Sequence, residues 1–252
     1  MQINPTWQLA LALVLLIGIA ITISKVGRLA VGKQVAVAAL RAIIQLALVS
    51  AVVVAAVQYW WTGLIFLVLM FGNAVWTTTG RVENRKTWGW TSLAMACGVI
   101  PVLAVIFLTG TAPFNGFAIV PIGSIIIGNV MTAHTLTGRR LFALLRDQMG
   151  VYEAALSLGF TRYEAMWYVI EPVKKEALIP NLDKTKTAGL VTLPGAFIGV
   201  LLGGGSPIQA GASQVLVLLG ILCGQTLCVS VAHELIRRAK LLPDDLVTTM
   251  HH

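Results

Sequence analysis

The chain has 252 residues, of which 57% are hydrophobic and 11% charged, with a mean hydropathy of +0.85. That balance excludes an ordinary soluble domain. The formal net charge of +8 does not mark a nucleic-acid binder, because the basic residues border apolar runs and fit helix ends beside anionic headgroups.

Seven apolar segments follow one another, at about 7–24, 34–57, 61–79, 89–109, 119–137, 187–203 and 212–235. A hydrocarbon core of ~30 Å takes about 20 apolar residues to cross. Backbone in lipid must bond to itself, so these segments are predicted helices, and the alternation of a membrane β-barrel is absent. No Lys or Arg precedes the first segment, so it reads as a retained helix and not as a cleaved signal peptide. Cys97, Cys223 and Cys228 fall within helices and are expected to pack as small residues, unpaired.

The connections alternate in charge. Lys25, Arg28 and Lys33 fill the first, and Arg81, Arg85 and Lys86 the third. Arg139, Arg140, Arg146, Arg162, Lys174, Lys175, Lys184 and Lys186 lie in the fifth, and Arg237, Arg238 and Lys240 follow the last segment. These are 17 of the 18 basic residues, whereas the connections at 58–60, 110–118 and 204–211 hold none. A Lys/Arg excess marks the cytoplasmic side, which predicts the N-terminus outside and the C-terminus in the cytoplasm. The predicted fold is all-α: a polytopic membrane protein of about seven transmembrane helices, one permease domain over residues 1–252 with a cytoplasmic insertion at 138–186. Whether His251 and His252 are native or a purification remnant is left open by the sequence.

Gly27-Arg-Leu-Ala-Val-Gly32-Lys33-Gln34 nearly fits a phosphate-binding loop but fails it. Gln34 lacks the hydroxyl that binds Mg²⁺, and no strand precedes Gly27. It reads as a basic turn, and any ATPase must be another polypeptide.

Polar groups inside apolar helices are the default candidates for a transport route. Arg41 is the one basic residue outside the connections, two turns past Lys33, where it either snorkels to the surface, pairs with Gln45, or meets an anionic substrate. Asn129, Met131 and His134 cluster on the fifth helix. Met131 and His134, three apart on one face, offer sulfur and imidazole to a passing metal ion, against the blander reading of His134 as a helix–helix contact. Asn73, Thr187 and Gln214 are weaker candidates. Gly195, Gly199 and Gly203 share one helix face, as do Gly220 and Gly224, which predicts close helix packing, with a conduit wall or dimer seam as the alternative.

The insertion reads as two helices, about 141–158 and 162–178, parted at Gly159, with Thr161 a cap and Pro172 and Pro180 terminators. Here Glu153-Ala154-Ala155, three residues, Gly159, nine residues, Val169, one residue, Glu171-Pro172 resembles the EAA motif of ABC-transporter permeases, with Val and Glu replacing its Ile and Leu. In that family the motif forms a helix–turn–helix that docks into the ATPase subunit. The resemblance thus implies a coupling role for Glu153, Ala154, Ala155 and Gly159.

Further segments resemble the FetB family of ABC permeases. They are Arg41-Ala-Ile-Ile-Gln45-Leu46, Pro121-Ile-Gly123 with Gly128-Asn129-Val-Met131, Ser157-Leu-Gly159, and the run from Ala177 to Gly195. The likeness extends from the second helix to Gln214. It implies a multi-pass permease of the bacterial plasma (inner) membrane that exports iron. It also implies a separate ATPase subunit holding ATP and Mg, a second copy of the chain, and no cofactor bound by the chain itself. The same resemblance puts Pro194 and Gly195 among the transport-path candidates. The pattern departs after Gly195, where methionines are expected and Ala196 and Phe197 stand.

Three alternatives compete with this reading. One is an ABC permease for an organic substrate such as a nucleotide sugar. Another is a channel or secondary transporter acting alone, which would want intramembrane acidic residues, yet all ten Asp and Glu lie in or near the basic connections. An intramembrane enzyme built on His134 lacks a paired nucleophile, a HExxH motif or an aspartate dyad.

Overall fold

A computed structural model describes residues 6–250, and His251 and His252 lie outside them. The chain forms two compact units, Met1–Val57 and Gln58–His252. The first holds α1 (Trp7–Val26) and nearly all of α2 (Gly32–Gln58). Their turn is fixed by Arg28 and Ala30 at positive φ and by the Val31 N–H donating to Ser24 Oγ at 3.1 Å. Almost no side chain of either helix is buried, as expected of apolar helices whose solvent is lipid.

The second unit is built on four long helices: α3 (Trp60–Arg81), α4 (Trp88–Leu108), α5 (Gly116–Asp147) and α10 (Pro207–Arg237). Contacts of α5 with α3 and of α10 with both α4 and α5 close one core of Leu67, Val75, Met95, Val99, Ile126, Val130, Val217, Ile221 and Cys228. Lipid is as apolar as the core, so close packing has to hold the helices together. Small residues permit that closeness. A Cβ on Gly98 would strike the Gly224 carbonyl oxygen, and one on Gly224 would come within 2.9 Å of the Gly98 oxygen, so α4 and α10 touch backbone to backbone.

Aromatic side chains ring both ends of this unit. Tyr59, Trp60, Trp61, Phe114 and Phe117 crowd one end; at the other, Arg85 lies over Trp76 at 4.4 Å and Lys240 over Trp90 at 4.4 Å. Along α3, Trp60 and Trp76 are separated by about 24 Å of helix, close to one hydrocarbon thickness, the spacing of interfacial belts. The charged end is stitched together by Asn84 Nδ2 donating to the Leu241 oxygen, Arg139 to the Arg81 oxygen, and Arg146 to Asp245. Asp244 and Asp245 open α11 (Asp244–Thr249), and the Arg146 guanidinium holds the Asp245 carboxyl below the usual carboxylate range.

Six helices among the described residues are long and apolar enough to cross a membrane, not the seven expected. The segment marked at 187–203 is the one that fails. The helix before it, α8 (Ile179–Thr187), ends at Thr187, and residues 188–194 form an irregular turn with an isolated bridge between Ala188 and Thr192. Only α9 (Gly195–Leu202), eight residues long, is helical there. Gly189 at φ +85° and Pro194, which caps α9 without an N–H to donate, interrupt what hydropathy alone reads as continuous. α9 then lies on α10, joined through Gly204 at φ +87° and the Ser206–Gln209 capping box.

Candidate coupling and transport site

α5 continues well past the apolar part of its sequence to Asp147, so the expected helix over 141–158 is in fact the end of α5 plus a separate short helix, α6 (Met149–Ser157). α7 (Arg162–Ile170) follows, shorter than the expected 162–178 because Glu171–Val173 tightens to a 3₁₀ turn around Pro172. Between α6 and α7 the chain turns through Gly159 at φ +91°. The Phe160 N–H reaches the Ala155 oxygen at 3.1 Å and the Gly159 N–H the Leu156 oxygen at 2.9 Å, a paired C-terminal lock that requires the left-handed residue.

The resulting elbow has two faces. Tyr152, Ala155, Ala165, Met166, Val169 and Ile170 are buried against the unit. Glu153, Ala154, Leu158, Gly159, Phe160 and Tyr168 are exposed at the tip, with Leu158 at 80%. The two alanines of the motif therefore part company: Ala155 packs inward and Ala154 faces out. Burial pushes the Tyr152 phenol up. Leu158, Phe160 and Tyr168 had not been singled out from sequence, although large apolar residues flanking a glycine turn in a charged insertion were the available signal.

α7 starts on a capping box. Thr161 Oγ1 accepts the Glu164 N–H at 3.3 Å, while Glu164 Oε2 accepts the Thr161 N–H at 2.9 Å. The Thr161 hydroxyl and amide hold the Glu164 carboxyl below its ordinary range. A depressed carboxylate contributes stability above its unfolded range and loses it only as pH falls through the lowered value. Thr161→Ala is expected to weaken α7 by about 1 kcal/mol, read as roughly five-fold faster amide hydrogen exchange at Ala165 and Met166. In the parent chain that protection should stay flat as pH drops from neutral to the ordinary carboxylate range.

The transport candidates do not form one cluster. Arg41 and Gln45 are exposed on α2, Asn73 is exposed on α3, and Thr187 is exposed at the end of α8. Asn129 donates back to the Ile125 oxygen at 2.9 Å, and Met131 packs on the core. His134 is 4% exposed; its Nδ1 lies 3.2 Å from the Thr78 hydroxyl, which in turn is 2.8 Å from Thr135 Oγ1. That is the helix–helix contact between α3 and α5. His134 Nε2 is buried with no partner among the described residues, and so are Thr91 Oγ1 and Gln225 Oε1. Gln225 Nε2 donates to the Asn129 oxygen at 2.9 Å, joining α10 to α5. Thr78, Thr91 and Gln225 were missed in the sequence because single hydroxyls and one amide hardly register against strongly apolar surroundings. No group of three or more His, Cys, Asp or Glu able to hold a metal occurs among the described residues.

Glycines divide likewise. Gly220 and Gly224 line the α10 contact, but a Cβ on Gly195 or Gly199 would meet nothing within 4 Å, and one on Gly203 only its own helix. The expected packing of the 195–199–203 face inside the bundle is therefore not what α9 uses to hold its place.

A family model described as "Uncharacterised protein family (UPF0014)" matches residues 6–240. The chain belongs to this family. Within UPF0014 it is 33% identical over 228 residues, 89% of this chain and 88% of the relative, to the Escherichia coli (strain K12) "Probable iron export permease protein FetB". It is 28% identical over 219 residues, 84% of this chain and 86% of the relative, to "UPF0014 membrane protein YjkA" of Bacillus subtilis (strain 168). Half of the chain is 32% identical to 46% of the Arabidopsis thaliana "Protein ALUMINUM SENSITIVE 3". No solved structure matches. This UPF0014 chain is a multi-pass membrane protein of the permease type, and similarity to a bacterial permease over nearly its full length fits the bacterial inner membrane.

Proposed function

We propose that the chain is the membrane subunit of an ATP-driven ABC transporter that exports a metal ion, iron, from the cytoplasm. It acts as a homodimer bearing two copies of a separate ATPase that holds ATP and Mg. The observation that carries this reading is the two-faced elbow: an exposed apolar tip at Leu158, Phe160 and Tyr168 around the Glu153–Gly159 motif, on a base buried against α5 and α10. Such a tip has no use in lipid but suits a groove on a soluble partner. The name of the Escherichia coli relative supports iron and export.

In this reading the charged end of the second unit faces the cytoplasm and the N-terminus lies outside. α10 then has to begin on the outer side, so the chain crosses between Thr187 and Pro207 without a full-length helix. Irregular backbone at membrane depth is tolerated where protein or a water-filled cavity covers it, and interrupted helices supply substrate sites in other transporters. This assigns Thr187, Pro194 and Gly195 to the route more strongly than Arg41 or Asn73. Ala196 and Phe197 offer no soft ligand there, which favours keeping an organic cargo such as a nucleotide sugar as the second reading.

The test is purification of the chain with its ATPase from the native host, followed by reconstitution. The complex is expected to hydrolyse ATP faster with ferrous ion than without, and a cysteine at Leu158 should react only from the ATPase side. Transport by the chain alone, or a Leu158 cysteine labelled from the opposite side, would overturn the proposal.

A further inference from the structure

The elbow is joined to the bundle by apolar contacts along its base and, at one point, by a different kind of joint. On α7, Tyr163 and Trp167 stand one turn apart on the same face. Arg237, in the last turn of α10, inserts its guanidinium between them, 3.6 Å from the Tyr163 ring centre and 4.6 Å from that of Trp167. Tyr163 Oη donates to Glu234 Oε2 at 2.9 Å, and Glu234 Oε1 accepts from Arg238 Nε at 2.7 Å. That bond to Glu234 raises the Tyr163 phenol above its ordinary range. Lys174, bonded to Glu171, also lies over the Trp167 ring, 5.1 Å from its centre. The Arg237 side chain is 20% exposed, and its buried Nε has no hydrogen-bond partner. Its protein contacts are therefore the two ring faces and an ion pair with Glu234 at 3.6 Å.

Stacked rings constrain a planar guanidinium in distance and tilt, while allowing it to slide in its own plane. A sliding contact of this type transmits a push along α7 into the end of α10 without breaking. α10 also carries the Gly224 contact with α4 and lies against α9, beside the interrupted crossing. Lys would keep the charge but lose the plane that both rings recognise.

We infer that Arg237 is a positioning residue of the coupling, the joint through which displacement of the elbow is passed to α10. This rests on the ABC-permease reading above. It differs from the docking contacts of the tip, because Arg237, Tyr163 and Trp167 are at the base and need not touch the ATPase.

The experiment uses the full chain reconstituted with its ATPase, spin-labelled at the end of the bundle away from the elbow, on Thr111→Cys and Gln209→Cys, with Cys97, Cys223 and Cys228 replaced by Ala. Distances are measured without nucleotide and after trapping with ATP and vanadate. The parent complex should show a shift. Arg237→Met should lose most of that shift while the ATPase still co-purifies in full, and Arg237→Lys should retain part of it. Trp167→Leu, which opens the clamp from the other side, should behave like Arg237→Met and covers the case in which that variant fails to fold. A joint that only stabilised the fold would lower thermal stability and leave the shift intact. An unchanged shift in both variants, or loss of ATPase binding in either, overturns the inference alone. Absence of a shift in the parent complex overturns the ABC reading and the inference with it.

Discussion

Gly159→Val is expected to cut the transport achieved per ATP hydrolysed by about tenfold while leaving the four-helix core folded. Gly159 is held at φ +91°, where a β-branched side chain is strained, and open space around it means that the strain is of the backbone alone. Strain of this kind costs ~1–3 kcal/mol, and every ~1.4 kcal/mol is tenfold in a population. The chain relieves it by giving up the paired bonds from Phe160 to Ala155 and from Gly159 to Leu156, so the tip residues Leu158 and Phe160 leave the positions in which α6 presents them. The contacts among α3, α4, α5 and α10 do not run through that turn, although Ala155 and Ala165 beside it belong to the same buried cluster. Thermal unfolding of the detergent-solubilised chain should therefore stay cooperative with a midpoint only a few degrees lower, roughly as 1–3 kcal/mol implies for this length, and Gly159→Ala should lie between parent and valine. The decisive measurement is ferrous ion moved per ATP in proteoliposomes. A normal ratio in Gly159→Val would mean that the tip does not carry the drive.

The elbow was legible in the sequence because its signals are local. A glycine that only a left-handed turn explains, Thr161 three residues before Glu164, and a charged insertion in an otherwise apolar chain all act within a few positions. Helix count was less legible. A hydropathy window sums apolar residues and takes no account of φ, so Gly189 and Pro194, embedded in Leu190, Val191 and Leu193, pass as part of a span. The buried layer of Thr78, His134, Thr135 and Gln225 was legible least, since it depends on which faces of α3, α5 and α10 meet. Periodicity gives a face for each helix but not its partner. Only His134 stood out, being the rarer residue, and its hydroxyl partner, Thr78, is 56 residues away on α3.

Gly98→Ala is expected to be the most destabilising single-methyl change in the second unit, and Gly195→Ala among the least. At Gly98 the added carbon would strike the Gly224 carbonyl oxygen and lie 2.9 Å from Cys228 Cβ. A backbone oxygen cannot rotate away as a side chain can, so α4 and α10 have to separate. They then lose contact along Met95, Val99, Val102, Val217 and Ile221. Overpacking of this kind costs ~1–3 kcal/mol, which for a chain of this length lowers the midpoint by roughly 3–10 °C. At Gly195, the first residue of α9, nothing lies within 4 Å and φ is not positive, so alanine fits and adds about 0.4–1 kcal/mol by restricting the unfolded chain. The midpoint of the purified chain should stay or rise. The same comparison separates two uses of glycine that sequence spacing cannot tell apart. If the face of Gly195 and Gly199 serves the route or the seam with a second copy, Gly195→Ala will lower transport by the reconstituted complex at undiminished stability. Equal midpoints for Gly98→Ala and Gly195→Ala would remove the distinction, and with it the reading that α4 and α10 touch through their backbones while α9 keeps its glycine face free.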